Sequence, residues 1–418
     1  MPFAKMSKYE NLRAESLSLL ESNILPFWAT RMVDNERGGF YGRIDGHNIL
    51  HPDAPKGAVL NARILWAFSA ASRVLHSTPY RLLADRAYDY FMHHFIDHES
   101  GGVYWSIHAD GTPLDTRKQT FAIAYAIYGL TEYVRLTNNQ DALNAAIRLF
   151  NDLEAHAYKF ENEKMSKCKN GYLEALTRDW QPISDTRLSE QDENAAFTMN
   201  THLHVLEAYT NLYRVYKDPR VAQQLRVLIS IFVNRLFNPA NGHLGLFFDD
   251  EWKPLNEKMV NDPYGKADRM NEVNKEMVNK FSPGHDIEAA WLLHEALEVL
   301  GDPILLKETL PVCQQLAQAA EDGILNESQW WCYAEAVVGY IDQWQVLLEK
   351  EPLQASINYE LAEAAYDFIQ SRLLDREHGE WFWSVLPDGT PDRNNDKAGF
   401  WKCPYHNSRM CIEIIERL

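Results

Sequence analysis

A chain of 418 residues with 59 acidic and 41 basic side chains, formally −18 at neutral pH, lacks the basic surface that nucleic acid, an anionic membrane or a polyanionic substrate would need. A neutral small molecule such as a sugar is compatible with that charge, and 46% hydrophobic residues suffice for a large core. The first twenty residues hold no apolar signal region and no run approaches about 18 apolar residues, so a soluble, cytoplasmic protein is expected, with neither membrane nor nucleic acid as partner.

In chain order, a first helix is expected from about Tyr9 to Trp28. It leads into Asp34-Asn35-Glu36-Arg37-Gly38-Gly39-Phe40-Tyr41, closing at Asp45-Gly46, and that segment recurs 63 residues on as Asp97-His98-Glu99-Ser100-Gly101-Gly102-Val103-Tyr104, closing at Asp110-Gly111. A degraded copy starts at Asn238-Pro239-Ala240-Asn241-Gly242-His243 and runs to Asp249-Asp250. A fourth is Asp375-Arg376-Glu377-His378-Gly379-Glu380-Trp381-Phe382, closing at Asp388-Gly389, and Asn170-Gly171-Tyr172 to Asp179-Trp180 is a further candidate. Turn residues beside alternating aromatic and polar positions read as short hairpins, and their recurrence is the main architectural clue.

Between the copies, apolar periodicity predicts helices from Leu60 to Val74, Pro79 to Phe95, Gln119 to Thr137, Gln140 to His156, Asn200 to Tyr216, Pro219 to Phe237, His285 to Leu300, Pro303 to Ala320, Trp330 to Leu348 and Glu360 to Leu373. With a helix at each end this makes about twelve, in six pairs, and implies an all-α fold: an (α/α)6 barrel with short β-hairpins at one end, as a single catalytic domain over residues 1–418. The polar, turn-rich stretch from Asn256 to Pro283 is too long for an ordinary connection and is expected to be an active-site loop.

Candidate chemistry sits on these helices. Arg63 lies in an apolar stretch, Leu60-Asn61-Ala62-Arg63-Ile64-Leu65-Trp66, and Glu335 in another, Trp330-Trp331-Cys332-Tyr333-Ala334-Glu335. Neither type is buried unpaired, so they serve a site or form an ion pair with each other. Helical spacing puts Asn200, His204 and Glu207 on one stripe, which must be networked or face a cavity, while His202 points elsewhere and reads as structural. In Ser282-Pro283-Gly284-His285-Asp286-Ile287-Glu288, a carboxylate at Glu288 is one turn from His285 and suited to orient it, whereas Asp286 reads as a first-turn acid complementing the helix dipole. Near the C-terminus, Phe400-Trp401-Lys402-Cys403-Pro404-Tyr405-His406-Asn407-Ser408-Arg409-Met410 reads as a helix opened by Pro404 that aims His406 and Arg409 at one place, backed by Met410, Ile412, Ile414 and Ile415.

No metal pattern competes: His202 and His204 are two apart, and there is neither HExxH nor an aspartate-rich calcium loop nor a glycine-rich phosphate loop. The five cysteines, Cys168, Cys313, Cys332, Cys403 and Cys411, form no CxxC pair and read as small buried hydrophobes. Twelve Trp and 20 Tyr suit stacking on sugar rings.

On "NTHLHVLEAYTNLY", "GHDIEAAWLL", "WWCYAEAVVG" and "GFWKCPYHNSRMC" the chain resembles the N-acylglucosamine 2-epimerase superfamily from about Tyr9 onward, departing at Pro283 and Ala290, where many relatives carry an aromatic residue and a serine. The resemblance implies an (α/α)6 barrel, no cofactor, no metal, a monomer, and reversible epimerisation at C2 of the reducing-end glucose of β-1,4-linked disaccharides such as cellobiose or lactose. It implies an acid/base pair at His285 and His406, with His204 assisting and Arg63 beside the developing oxyanion. The implied binding set is Asn200, Glu288, Trp291, Trp331, Glu335, Trp401 and Arg409, in which Asn200, Glu288, Glu335 and Arg409 hold hydroxyls and orient the histidines while Trp331 and Trp401 stack on sugar. An aldose–ketose isomerase or an N-acylglucosamine epimerase on the same residues is the alternative. An inverting glycosidase with two carboxylates, or a sugar-binding protein without catalysis, are the readings from other classes.

Overall fold

The computed structural model describes residues 8–159, 170–190, 192–255 and 281–418. Twelve helices are built from them: α1 (Lys8–Leu19, continued through a π-helical turn at Leu20–Ile24 into Leu25–Arg31), α2 (Ala58–Leu75), α3 (Thr78–His94), α4 (Thr120–Thr137), α5 (Gln140–Asp152), α6 (Met199–Val215), α7 (Pro219–Ile231), α8 (Pro283–Leu300), α9 (Pro303–Glu321), α10 (Trp330–Leu347), α11 (Pro352–Phe368) and α12 (His406–Arg417). The even-numbered helices are buried on nearly all sides, every residue from Ala58 to Ser72 and from Thr120 to Val134 being buried. Helices of that kind must be enclosed by others. The odd-numbered ones bury a single stripe, as Ala142, Ala145, Ala146, Leu149 and Phe150 do in α5.

Packing follows from that division. Each even helix packs on the next, α12 closes on α2, and each odd helix covers a neighbouring even one, with α1 lying on α12. The result is the expected (α/α)6 barrel. Short antiparallel strands, Lys56–Gly57, Lys118–Gln119 and Phe197–Thr198, run directly into α2, α4 and α6 and roof the end where inner helices begin. Among the described residues no helix is long and apolar enough to cross a membrane.

The repeated segments prove to be tight turns, each closed by a single bridge, Val33 to Phe40, Ile96 to Val103, Phe237 to Leu244 and Leu374 to Trp381. In three copies the leading aspartate accepts two backbone N–H groups inside the turn, Asp34 from Glu36 and Arg37, Asp97 from Glu99 and Ser100, and Asp375 from Glu377 and His378. Its other oxygen takes a buried lysine further along the chain, Lys56 at 3.0 Å, Lys118 at 2.7 Å, and Lys397. The Asp–Lys pair thus ties each turn to the strand or loop that feeds an inner helix.

Two helix boundaries differ from expectation. α11 starts at Pro352 rather than Glu360, because Leu353 and Ile357 are exposed on it and blur the apolar stripe. α12 starts at His406, not Pro404, since the preceding residues bend to bury the Lys402 ammonium 2.5 Å from Glu380. Pro283, a departure from the family pattern, fits its place as the first residue of α8, behind a Ser282 cap. The expected loop from Asn256 to Pro283 lies, up to residue 280, outside the described residues.

Candidate active site

The first turns of the inner helices surround a cavity of about 600 Å³. Arg63 from α2, Asn200 and His204 from α6, His285 and Glu288 from α8, Trp330 and Trp331 from α10 and His406 from α12 all line it, with Trp383, Phe400 and Trp401 from the connecting segments. Phe121 of α4 also lines it, so six helix N-termini face one space, which favours negative charge developing there.

Behind the wall lies an ion cluster that no single segment could hold. Arg409, fully buried, donates to Glu288 at 2.8 Å, to Glu335 at 2.7 Å and to Glu207. Burial opposes its charge, but Glu335 and the other carboxylates hold it cationic, well above its ordinary pKa. Burial and the nearby negative charge of Glu335 push Glu288 above the ordinary carboxylate value, while its 2.8 Å bond to Arg409 pulls the other way. Glu288, Glu335 and His406 bring three ligand atoms within 4.8 Å of one another, a spacing that suits a cation. The Arg409 guanidinium already lies within hydrogen-bond distance of both carboxylates.

In His406 and His204 a carboxylate partner assigns one ring nitrogen. His406 places Nδ1 2.6 Å from Glu335 Oε1, and His204 places Nδ1 2.9 Å from Glu207 Oε2. A carboxylate accepts, so each ring donates from Nδ1 when neutral and leaves Nε2 as an acceptor. His285 Nδ1 lies 2.8 Å from the Ser282 hydroxyl, and its ring sits 4.7 Å from that of Trp331, on which His406 also packs at 5.7 Å. Burial pushes His285 down to about 3, helped by repulsion from His204. His406 is held well below the usual imidazole value, first by burial and then by the charges of Arg63 and Arg409, and burial likewise lowers His204. All three are neutral at physiological pH. Arg63 donates to the Tyr125 hydroxyl at 2.5 Å and packs beside the Cys403 sulfur and the Trp401 carbonyl, while Tyr125 reaches His204 Nδ1 at 2.9 Å.

Several sequence expectations need correction. Arg63 and Glu335 form no pair: the first binds Tyr125, and the second is taken by Arg409, His406 and Trp291. Glu288 does not orient His285. It turns toward the Arg409 charge, and Ser282 holds His285 instead. Trp291 is not on the cavity; it is buried behind it, donating to Glu335 at 3.0 Å with Arg409 stacked over its ring. Glu335 and Arg409 also stand behind the lining, where they orient groups rather than hold hydroxyls. Asp286 does more than complement the dipole, accepting from His243 at 2.7 Å and Leu244 N at 2.9 Å. His202 is structural as expected, bridging Thr198 O and Tyr172 N.

Sequence reasoning missed Tyr125, Tyr405 and Trp383. Tyr405 donates to Glu207 and packs under the Arg63 guanidinium. The available signal was a phenol in the otherwise apolar Phe121-Ala122-Ile123-Ala124-Tyr125 run, and a third aromatic after Trp381 and Phe382 in the fourth turn copy.

The sequence profile of the N-acylglucosamine 2-epimerase (GlcNAc 2-epimerase) family matches residues 39–408. The chain is 47% identical to a cellobiose 2-epimerase of Bacteroides fragilis, over 97% of this chain and 99% of that one. It is 36% identical to a cellobiose 2-epimerase of Ruminococcus albus, over 95% and 97% of the two chains. The solved cellobiose 2-epimerase of Bacillus thermoamylovorans B4167 superposes with a TM-score of 0.84 at 36% identity, covering 98% of this chain and all of that one.

Proposed function

Because the chain belongs to the N-acylglucosamine 2-epimerase family, we propose that it interconverts the C2 epimers of the reducing-end glucose of β-1,4-linked disaccharides, turning cellobiose into glucosyl-mannose and lactose into epilactose. The observation that carries this reading is that His285 and His406, from separate helices, both pack against the Trp331 ring in one cavity with Arg63. On an open-chain aldose, His406 Nε2 takes the C2 proton, and the C–H electrons form a C1–C2 double bond as the carbonyl oxygen becomes an enediolate oxygen. Arg63, cationic at any working pH, lies beside that oxygen, and the ring of helix N-termini adds to the stabilisation. Inversion follows when His285, neutral at rest, takes a proton from solvent and delivers it to C2 from the opposite face; the carbonyl reforms, and the proton taken by His406 passes to solvent. Developing enediolate charge raises the proton affinity of His285 at that moment. The reverse reaction exchanges the two roles. His204 Nε2, an acceptor, takes a hydrogen bond from a sugar hydroxyl, Asn200 and Glu288 hold further hydroxyls, and Trp331 and Trp401 stack on the rings. The reading includes a cytoplasmic monomer without a cofactor.

Incubation with cellobiose, followed by product identification, is the test. Glucosyl-mannose is expected; a ketose product would make the protein an isomerase, and released glucose would make it a glycosidase. Because His406 is neutral well below the ordinary imidazole value, the rate of C2 hydrogen exchange should not fall as pH is lowered through about 6.5. An acid limb at or above that value, measured on C2 exchange, would show that a solvent-like imidazole is the base.

A further inference from the structure

The four turn copies can be aligned on their first residue, Asp34, Asp97, Asn238 or Asp375. The sixth residue of each is then Gly39, Gly102, His243 or Glu380. In the first two copies, which precede the helices carrying Arg63 and Tyr125, that position is glycine in the left-handed region, at φ 61° and 66°. Glu380 keeps the same conformation at φ 63°, which disfavours any side chain with a Cβ, so the glutamate must be held there by what it binds.

Both side chains reach the same kind of target. His243 Nδ1 lies 2.7 Å from Asp286 Oδ2, and Asp286 directly follows His285. Glu380 Oε1 accepts from Asn407 Nδ2 at 2.6 Å, and Asn407 directly follows His406. The Glu380 carboxylate is completed by Lys402 Nζ at 2.5 Å, Trp28 Nε1 at 2.5 Å and Trp381 N at 2.9 Å, so it grips the chain on both sides of His406. His243 is steadied by stacking on Phe281 at 3.6 Å, and Leu244 N adds a second bond to Asp286 at 2.9 Å.

We infer that His243 and Glu380 are positioning residues, each clamping the residue next to one of the two proton-transfer histidines and thereby setting where that imidazole meets C2. This rests on the proposed epimerisation. The copies before Arg63 and Tyr125 keep glycine, whereas the copies before the two histidines carry a side chain that reaches the next helix. Displacement of a base by about 1 Å costs on the order of 10²-fold in rate.

The test is to give each turn the residue its counterparts have, His243→Gly and Glu380→Gly, and to follow C2 hydrogen exchange in deuterated water separately from cellobiose and from glucosyl-mannose. Each variant is expected to lose about ten- to a hundredfold in kcat for epimerisation with KM within threefold, and to slow exchange mainly from one epimer, the opposite one in the two variants. Glu380→Gln, which keeps an acceptor for Asn407, should recover part of the loss. Equal slowing from both epimers, or kcat within twofold of the parent in folded variants, would overturn the inference. Should a glycine variant not fold, Asp286→Ala and Asn407→Ala cut the same links from the other side, with the same pattern expected and the same results contradicting it. A parent protein that does not epimerise cellobiose refutes the proposed reaction instead, before any variant is compared.

Discussion

His406→Ala is expected to lower kcat for epimerisation by on the order of 10²–10⁴-fold while the protein stays folded, with His285→Ala similar. The chemical reason is that the proposed step uses the His406 imidazole as its base. Its Nδ1 is committed to Glu335 at 2.6 Å, which fixes the ring and leaves Nε2 to work. The structural reason for survival of the fold is that Glu335 keeps Arg409 at 2.7 Å and Trp291 at 3.0 Å when the imidazole is gone. Steady-state kinetics with circular dichroism checks both halves. A folded His406→Ala protein retaining kcat within tenfold of the parent would remove this residue from the proton-transfer pair.

Arg409→Leu should destabilise the protein by about 3–5 kcal/mol at pH 7, because it leaves Glu207, Glu288 and Glu335 buried around an apolar side chain. The pH dependence of that loss has a definite sign. Burial alone would raise Glu207, but the Arg409 charge and the bond to His204 bring it below the ordinary carboxylate value. A lowered folded-state pKa contributes stability that is present above the unfolded value and lost as pH falls through the folded one. The gap between parent and Arg409→Leu should therefore narrow as pH falls below about 4.5, the ordinary glutamate value, as measured by urea unfolding. A gap below about 1 kcal/mol at pH 7, or one that widens on acidification, contradicts the role given to Arg409.

The barrel was legible because its two kinds of helix bury different fractions of their surface, and because the glycine-rich turns recur. His204 and Glu207 were legible for a related reason: polar groups on a buried helix need partners, and here they partner each other. What local spacing could not reveal was competition between elements. Glu288 is one turn from His285, yet the buried guanidinium of Arg409, 121 residues away, attracts it more strongly than a neutral imidazole does. Trp291 shows the same limit, since an indole on an inner helix can face the cavity or its back wall, and the Glu335 acceptor behind the wall decided it. Tyr125 escaped notice because its role exists only where α2 and α6 meet α4, between Arg63 and His204.

The most direct measurement is the position of solvent label after the purified protein converts cellobiose in deuterated water. Transfer through two imidazoles across an enediolate predicts glucosyl-mannose carrying deuterium at C2 of the reducing-end unit and nowhere else on carbon. Product that retains the original C2 hydrogen, or that carries its label at C1, contradicts proton transfer to opposite faces of C2.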